Sequence, residues 1–392
     1  MHPCWTAFCI RQIAAGAKLP GTIRKIPANM NPLKIGVLTL HKSFNYGSYW
    51  QAMHLVRFLA KEGAAVRLLE HQSGRVLFAE LKCGLQPVLP TPVPPSDRPF
   101  YRKRLNAFME AFEQMPCSEP FPLEDAGQMP PSDLVVVGSD EVWNLFHPWY
   151  GGASLFWGDG VNTQMLVSYA ASFGSYPAQQ GLGAEWAEKL RQFDLIAVRD
   201  QNSRQLVQSA TGIDPELVVD PCLLTEEPGA PDTDQPVPER YLAVYGHNFE
   251  PHFIEHAKEF ARRSGLPLVS IGYRNDWADQ HWIEAGPIEF DGFMRNSAAV
   301  ITNFFHGCVF ALRYHRPFAC AATPYRSIKV ISLMDKLGGL NHLVHEGSPY
   351  TAFEDALTQP LAPYLLHRIG QLRQSSQAYL QRALQLKQYQ YA

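Results

Sequence analysis

Apolar residues recur along this chain in two alternating rhythms. Short, nearly continuous runs at 33–40, 65–70, 133–137, 166–171, 195–198 and 217–219 predict buried strands. Between them, apolar residues fall three and four apart at 48–61, 102–114, 185–192 and 203–210, which predicts helices. A second series follows, with strands at 241–245, 268–271, 298–302 and 318–321. Its helices are expected at 252–263, 309–314 and 327–337, with 352–386 largely helical. Strand and helix in turn argue for parallel sheets, because a parallel crossover needs a covering segment of a dozen or more residues. The fold class expected is α/β, with two Rossmann-like domains facing a cleft.

Two stretches break the rhythm. Residues 86–99 are Pro-rich and read as a spacer or lid. Residues 226–239 are rich in Pro, Asp, Glu and Gly and read as the interdomain linker. The expected organisation is therefore a first Rossmann-like domain at 30–225, a linker at 226–239, a second such domain at 240–350 and a helical segment at 351–392. The terminal helix is expected to cross back to the first half. Residues 1–29 have scattered basic residues, no apolar core and no cleavage site. They are expected to be a loosely ordered extension, with the native start near Met30.

Composition narrows the class. A chain of 392 residues is long for one core, which favours two domains. The net charge of −3 argues against a general nucleic-acid binder. The seven cysteines are scattered and contain no Cys-x-x-Cys pair, so neither a disulfide framework nor a zinc site is indicated. No apolar run reaches the ~18–20 residues of a membrane helix, and the default location is cytoplasmic.

Candidate chemistry gathers where strands end. Phe305-His306-Gly307 closes the apolar run 298–302 through Asn303 and Phe304, just before a helix. The carboxyl end of a strand and the amino end of a helix form the usual anion site of α/β proteins. An imidazole there can bind phosphate or move a proton near neutral pH, so His306 is the leading catalytic candidate. Basic residues follow it: Arg313, His315, Arg316, Arg326 and Lys329. Lys329, near a helix start, is a second potential anion site. Asn45-Tyr46-Gly47-Ser48 opens the first helix, and reads either as a ligand loop or as a turn with a cap. Ser139, Asp140, Trp143 and Asn144 leave the strand at 133–137 and suit carbohydrate recognition; the alternative is a cap and a core tryptophan. Arg199 ends another strand as a carboxylate or phosphate clamp, or else pairs with Asp200 at the surface. Asp220 would face the cleft as a general base, or simply form an Asp-Pro turn with Pro221. No His/Asp/Glu spacing reads as a metal site, and His247 and His281 lack such context.

These motifs, in this order, resemble the polysaccharide pyruvyl transferase family. The carrying segments are Asn45-Tyr46-Gly47, Gly138-Ser139-Asp140-Glu141-Val142-Trp143-Asn144, 168–174, Val198-Arg199-Asp200, Asp220-Pro221 and Phe305-His306-Gly307. The resemblance implies a GT-B-like fold and transfer of pyruvate from phosphoenolpyruvate to a sugar, as a ketal or an enolpyruvyl ether. It implies no cofactor beyond that donor substrate. The acceptor would be a sugar, a glycan or a lipid-linked glycan, the last bringing peripheral membrane contact. The second domain would be the donor side and the first the acceptor side. His306, Arg199 and Lys329 would meet the donor's phosphate and carboxylate, and Arg326, Asn303 and Gly307 would be further substrate-binding residues. Asp220 would activate the acceptor hydroxyl, Asn45, Tyr46, Ser139 and Asp140 would line the acceptor side, and Gly47, Trp143 and Asn144 would also bind substrate. The chain departs from its relatives at Phe304, where they carry serine or arginine, at Asn303 for a common aspartate, at Cys308 for a common threonine and at Glu141 for a common glutamine.

Overall fold

Strands buried on both faces read as unbroken apolar runs, and the two sheet centres show it: Leu134–Val137 and Ala299–Thr302 are buried at every position. The computed structural model describes residues 32–227, 229–230, 238–321 and 327–389. From Leu33 onward the chain forms one compact unit.

The first half contains β1 (Lys34–Leu38), α1 (Tyr46–Lys61), β2 (Ala65–Leu68), β3 (His71–Gln72), α2 (Gly74–Leu85), α3 (Arg98–Glu113), β4 (Phe121–Pro122) and β5 (Leu134–Val137). It continues with β6 (Leu166–Ser168), α4 (Ala184–Leu190), β7 (Ala197–Val198), α5 (Gln201–Thr211) and β8 (Glu216–Leu217). The main sheet runs β2-β1-β5-β6, all parallel. Single parallel bridges, Val167 to Leu195 and Ala171 to Val198, extend it towards the β7-β8 pair.

The second half contains β9 (Leu242–Tyr245), α6 (Pro251–Ser264), β10 (Leu268–Ile271), β11 (Gln280–Trp282), α7 (Pro287–Asn296), β12 (Ala299–Thr302) and α8 (Phe305–Arg313). Then come β13 (Phe318–Ala321), α9 (Ser327–Leu337), β14 (Leu343–Val344), α10 (Tyr350–Thr358) and α11 (Pro363–Tyr389). Its sheet runs β11-β10-β9-β12-β13-β14, again parallel. The architecture is α/β, with two Rossmann-like halves facing a cleft.

Three sets of contacts clasp the halves. Helix α1 is buried almost all round because it lies between its own sheet and the second half. Tyr46 donates to the Ala285 carbonyl at 2.6 Å and stacks on Phe290 at 4.2 Å, while Trp50 donates to the Pro287 carbonyl at 2.9 Å. Asp97, before α3, takes a bidentate pair with Arg274. Helix α11 returns to the first half, where Tyr379 donates to the Ser168 carbonyl at 2.7 Å and Ser376 accepts from the Val219 amide at 2.9 Å.

The pattern missed some elements. Helix α2 went unseen because Leu77 and Phe78 point to solvent, 52% and 72% exposed, which blurs its apolar face. β11 and α7 also went unseen. Helix α8 starts at Phe305, four residues before the expected position, so His306 lies inside its first turn. The expected 352–386 helix is two, α10 and α11, broken before Pro363. The extension at 1–29 and most of the linker lie outside the described residues. Among the described residues no helix is long and apolar enough to cross a membrane.

Candidate active site

Four strand exits deliver polar groups to one buried cluster at the cleft. β5 leads to Asp140, whose φ of 71° is left-handed and turns the chain sharply after the strand. β7 leads to Arg199, and the segment after β8 leads to Asp220. Across the cleft, β12 leads to His306. Arg199 Nη1 donates to Asp220 Oδ2 at 3.0 Å and to Ser139 Oγ at 3.3 Å, and Nη2 donates to Asp140 Oδ1 at 3.4 Å. The Phe305 ring covers the guanidinium, 4.8 Å from its centroid. His306 Nε2 lies 3.5 Å from Asp220 Oδ2. Burial alone would raise the Asp220 carboxyl. The His306 imidazole and the Arg199 guanidinium outweigh it and hold the group well below the usual carboxylate range.

First-half residues complete the cluster. Asn45 caps α1 with its side-chain oxygen, accepting from the Gly47 and Ser48 amides at 2.8 and 3.3 Å. Ser48 Oγ donates to Asp140 Oδ2 at 2.6 Å. A Cβ on Gly47 would stand 1.9 Å from His306 Nδ1, so only glycine lets the imidazole lie against the start of α1. From the second half, Lys329 pairs with Glu141, which also accepts from Asn144 at 2.7 Å. Lys336 reaches across to donate to the Arg199 and Val218 carbonyls at 3.1 and 3.0 Å, and burial pushes its ammonium down to about 8.

Beside this cluster lies a cavity of about 310 Å³ between the halves. Asp140 belongs to both. The walls include Ser43, Asn45 and Ser48, and the far side is closed by His247 and Tyr273 of the second half. A larger groove of about 680 Å³ runs along α6, but its Glu259 and Arg262 pair with one another at the surface. It is remote from the strand-exit cluster.

Several site expectations change. Trp143 is fully buried, donates to the Phe156 carbonyl at 2.9 Å and packs on Trp157 and Phe173; it is a core residue and not a sugar platform. Tyr46 is likewise fully buried, with its hydroxyl spent on Ala285, so it joins the halves and does not line the acceptor side. Asp220 is held ionised by the His306 imidazole and the Arg199 guanidinium, which makes it a weak base and suits it to fixing His306. Arg199 is 4% exposed and its two terminal nitrogens are taken by Asp220, Asp140 and Ser139, so they position these groups instead of clamping a ligand. Asn303 donates to the His247 carbonyl at 2.7 Å and Gly307 packs on Thr302, both shaping the turn into α8. Arg326 lies outside the described residues.

The sequence reading missed Glu80, Arg104, His147, Tyr150 and Tyr273, all in the cavity wall, and set His247 aside. Arg104 left a signal: it falls on the buried stripe of α3 with Tyr101, Leu105 and Phe108, where a charge needs a reason. Glu80 sits on the unpredicted α2. Spacing also hid two groups whose ligand atoms come within 4.8 Å of one another, Asp220 with Cys222 and His306, and His41 with Glu70 and Cys117. In the first, the Arg199 guanidinium already occupies Asp220 Oδ2.

The fold is two-halved and α/β, with the polar cluster at the cleft. The sequence model of the polysaccharide pyruvyl transferase family matches residues 45–323, and the chain belongs to that family. No curated protein matches it. Among solved structures it is similar to S. aureus MnaA with UDP, at 13% identity over 86% of this chain and 90% of that one, with a TM-score of 0.46. It is also similar to UDP-GlcNAc 2-epimerase from Neisseria meningitidis bound to UDP-GlcNAc, at 12% identity over 90% and 99% of the chains, TM-score 0.47. The glycosyltransferase SnogD from Streptomyces nogalater gives 13% identity over 88% and 95%, TM-score 0.43.

Proposed function

We infer that this protein transfers the pyruvyl group of phosphoenolpyruvate to a hydroxyl of a sugar, in a cell-surface polysaccharide or its precursor. The observation that carries the reading is the His306–Asp220–Arg199 cluster, built from both sides of the cleft in a member of the pyruvyl transferase family. The reaction needs an acid for the methylene carbon of the enol, a path for the hydroxyl proton and a hold on the departing phosphate.

His306 is the proton donor in this reading. Asp220 stays ionised beside its Nε2 and fixes the ring, and Gly47 leaves room for it. A proton moves from His306 to the methylene carbon, and the acceptor oxygen bonds to the adjacent carbon as its own proton passes to the imidazole that has just given one up. The carbon–oxygen bond to phosphate then breaks and phosphate leaves. A second hydroxyl closes a ketal and gives its proton to the departing phosphate, or a methyl proton passes to that phosphate and leaves the enolpyruvyl ether. Lys329 and the first-turn amides of α8, whose cap residue Phe304 supplies no side-chain cap, would meet the phosphate. Asn45, Ser48 and Asp140 would meet the acceptor hydroxyls. The reading calls for no cofactor.

Calorimetry tests it. Phosphoenolpyruvate should bind in the micromolar to millimolar range of ordinary substrates, and H306A should weaken that binding or abolish turnover. Tight binding of a nucleotide-sugar with no response to phosphoenolpyruvate would replace this reading with glycosyl transfer.

A further inference from the structure

One stretch of surface differs from the rest of the molecule in both polarity and charge. Among the described residues, large apolar side chains that reach solvent gather between 77 and 109. Phe78 and Val88 are 72% and 79% exposed, and Leu77, Leu85, Phe100 and Met109 are exposed beside them. Scattered apolar residues on a surface are ordinary, but a group of them on neighbouring elements marks a binding surface. Helical spacing sets the face of α2. Val76, Glu80 and Gly84 lie on its buried side, and Gly84 packs on Leu105 of α3. The opposite stripe is Arg75, Phe78, Lys82 and Leu85, all exposed, with cations and apolar groups interleaved.

The chain carries a net charge of −3, yet this surface is basic. Between 71 and 109 the acids are Glu80 and Asp97, which are 5% and 1% exposed, and Asp97 is taken by Arg274. Arg75, Lys82, Arg98, Arg102 and Lys103 are exposed, and among the described residues none of them pairs with an acid. Exposed acids stand at the margins: Glu124, which accepts from Ser73 just before α2, and Glu110 and Glu113 late in α3. Charge then narrows the occupant. A second copy docked through the same surface would set cations against cations. The segment 1–31 has basic residues and no acid, so it is repelled in the same way. Apolar side chains standing between long cationic ones suit a layer that is anionic outside and apolar within. The first enter it, and the second stay at its charged boundary.

We propose that α2, the loop after it and the start of α3 form a docking surface for an anionic lipid bilayer, with Phe78, Leu85 and Val88 entering the headgroup layer and Lys82, Arg102 and Lys103 meeting lipid phosphates. Pro87 and Val88 also line the cavity between the halves, so docking here places that cavity beside the headgroups. The surface does not depend on the pyruvyl-transfer reading.

The test is co-sedimentation of the full chain with vesicles of phosphatidylcholine alone, and of equal parts phosphatidylcholine and phosphatidylglycerol. Each basic residue beside an anionic surface is worth roughly a fivefold gain, so the anionic vesicles should hold the chain at least about tenfold more tightly. The gain should shrink as salt is added. Lys82→Glu with Lys103→Glu should bring binding down to the level of the neutral vesicles. Phe78→Ser with Leu85→Ser should weaken it about tenfold at unchanged charge. All four positions are exposed, so the melting temperatures should stay near that of the unaltered chain. Equal retention of the unaltered chain on both vesicles, or on neither, overturns the proposal without relying on any variant. Anionic-vesicle binding that Phe78→Ser with Leu85→Ser leaves intact also overturns it. So does polyglutamate binding as tight as that to the anionic vesicles, which would favour an acidic partner protein. The assay contains no phosphoenolpyruvate, so its failure leaves the pyruvyl-transfer reading standing, and failure of that reading leaves this surface standing.

Discussion

Gly47 and His306 share the tightest constraint at the site, an imidazole pressed against the place where any other residue would carry a Cβ. Gly47 is helical, so alanine costs the backbone nothing, and the penalty falls on the ring. G47A should therefore keep its fold, with a melting temperature within a few degrees, while phosphate release falls by about 100-fold as His306 is displaced. Unchanged turnover in G47A would show that the ring position is irrelevant. Glu80 offers a pH test at the same scale. Its folded pKa is raised from 4.5 to about 7 by burial, so the folded chain binds the extra proton. The stability it contributes is fully present below about pH 4.5 and is lost as pH rises through 7, by on the order of 3 kcal/mol. Urea titrations at pH 5 and 8 should show that fall, and E80Q should remove most of it. His306 was legible in the sequence because a polar exit after a long apolar strand is unusual. Trp143 and Tyr46 were misread because a strand-exit motif does not reveal which side chains the neighbouring helix will cover.

Elements with both faces buried were the most legible, since a run such as Leu134–Val137 has no competing reading. Elements with mixed faces were not: α2 exposes Leu77 and Phe78 and buries Glu80, the reverse of an ordinary surface helix. That helix forms one wall of the cavity, so missing it meant missing the cavity. The return of α11 to the first half was expected from the length of the terminal apolar pattern, although its contacts could not be. Those contacts make a separate prediction. Tyr379→Phe leaves the buried Ser168 carbonyl without its donor and should cost about 1–3 kcal/mol of stability, with little change in KM for either substrate. An unchanged unfolding midpoint would mean that α11 contributes no anchoring through that bond.

At the scale of the molecule, the halves are held by α1, by the Asp97–Arg274 pair and by α11, and the strand-exit cluster takes residues from both sides. The two-sheet architecture could be read from alternation alone. The site could be read only as a set of strand exits, because distances between residues far apart in sequence, such as Asp220 and His306, depend on how the halves close. The cavity, with Arg104 in its wall, depended on that closure entirely. The central claim is that His306 carries the proton in pyruvyl transfer. Acceptor-dependent phosphate release from phosphoenolpyruvate, compared between the unaltered chain and a folded H306A, tests it most directly. The account predicts a fall in kcat/KM of about 1000-fold; release within tenfold of the unaltered chain would contradict it.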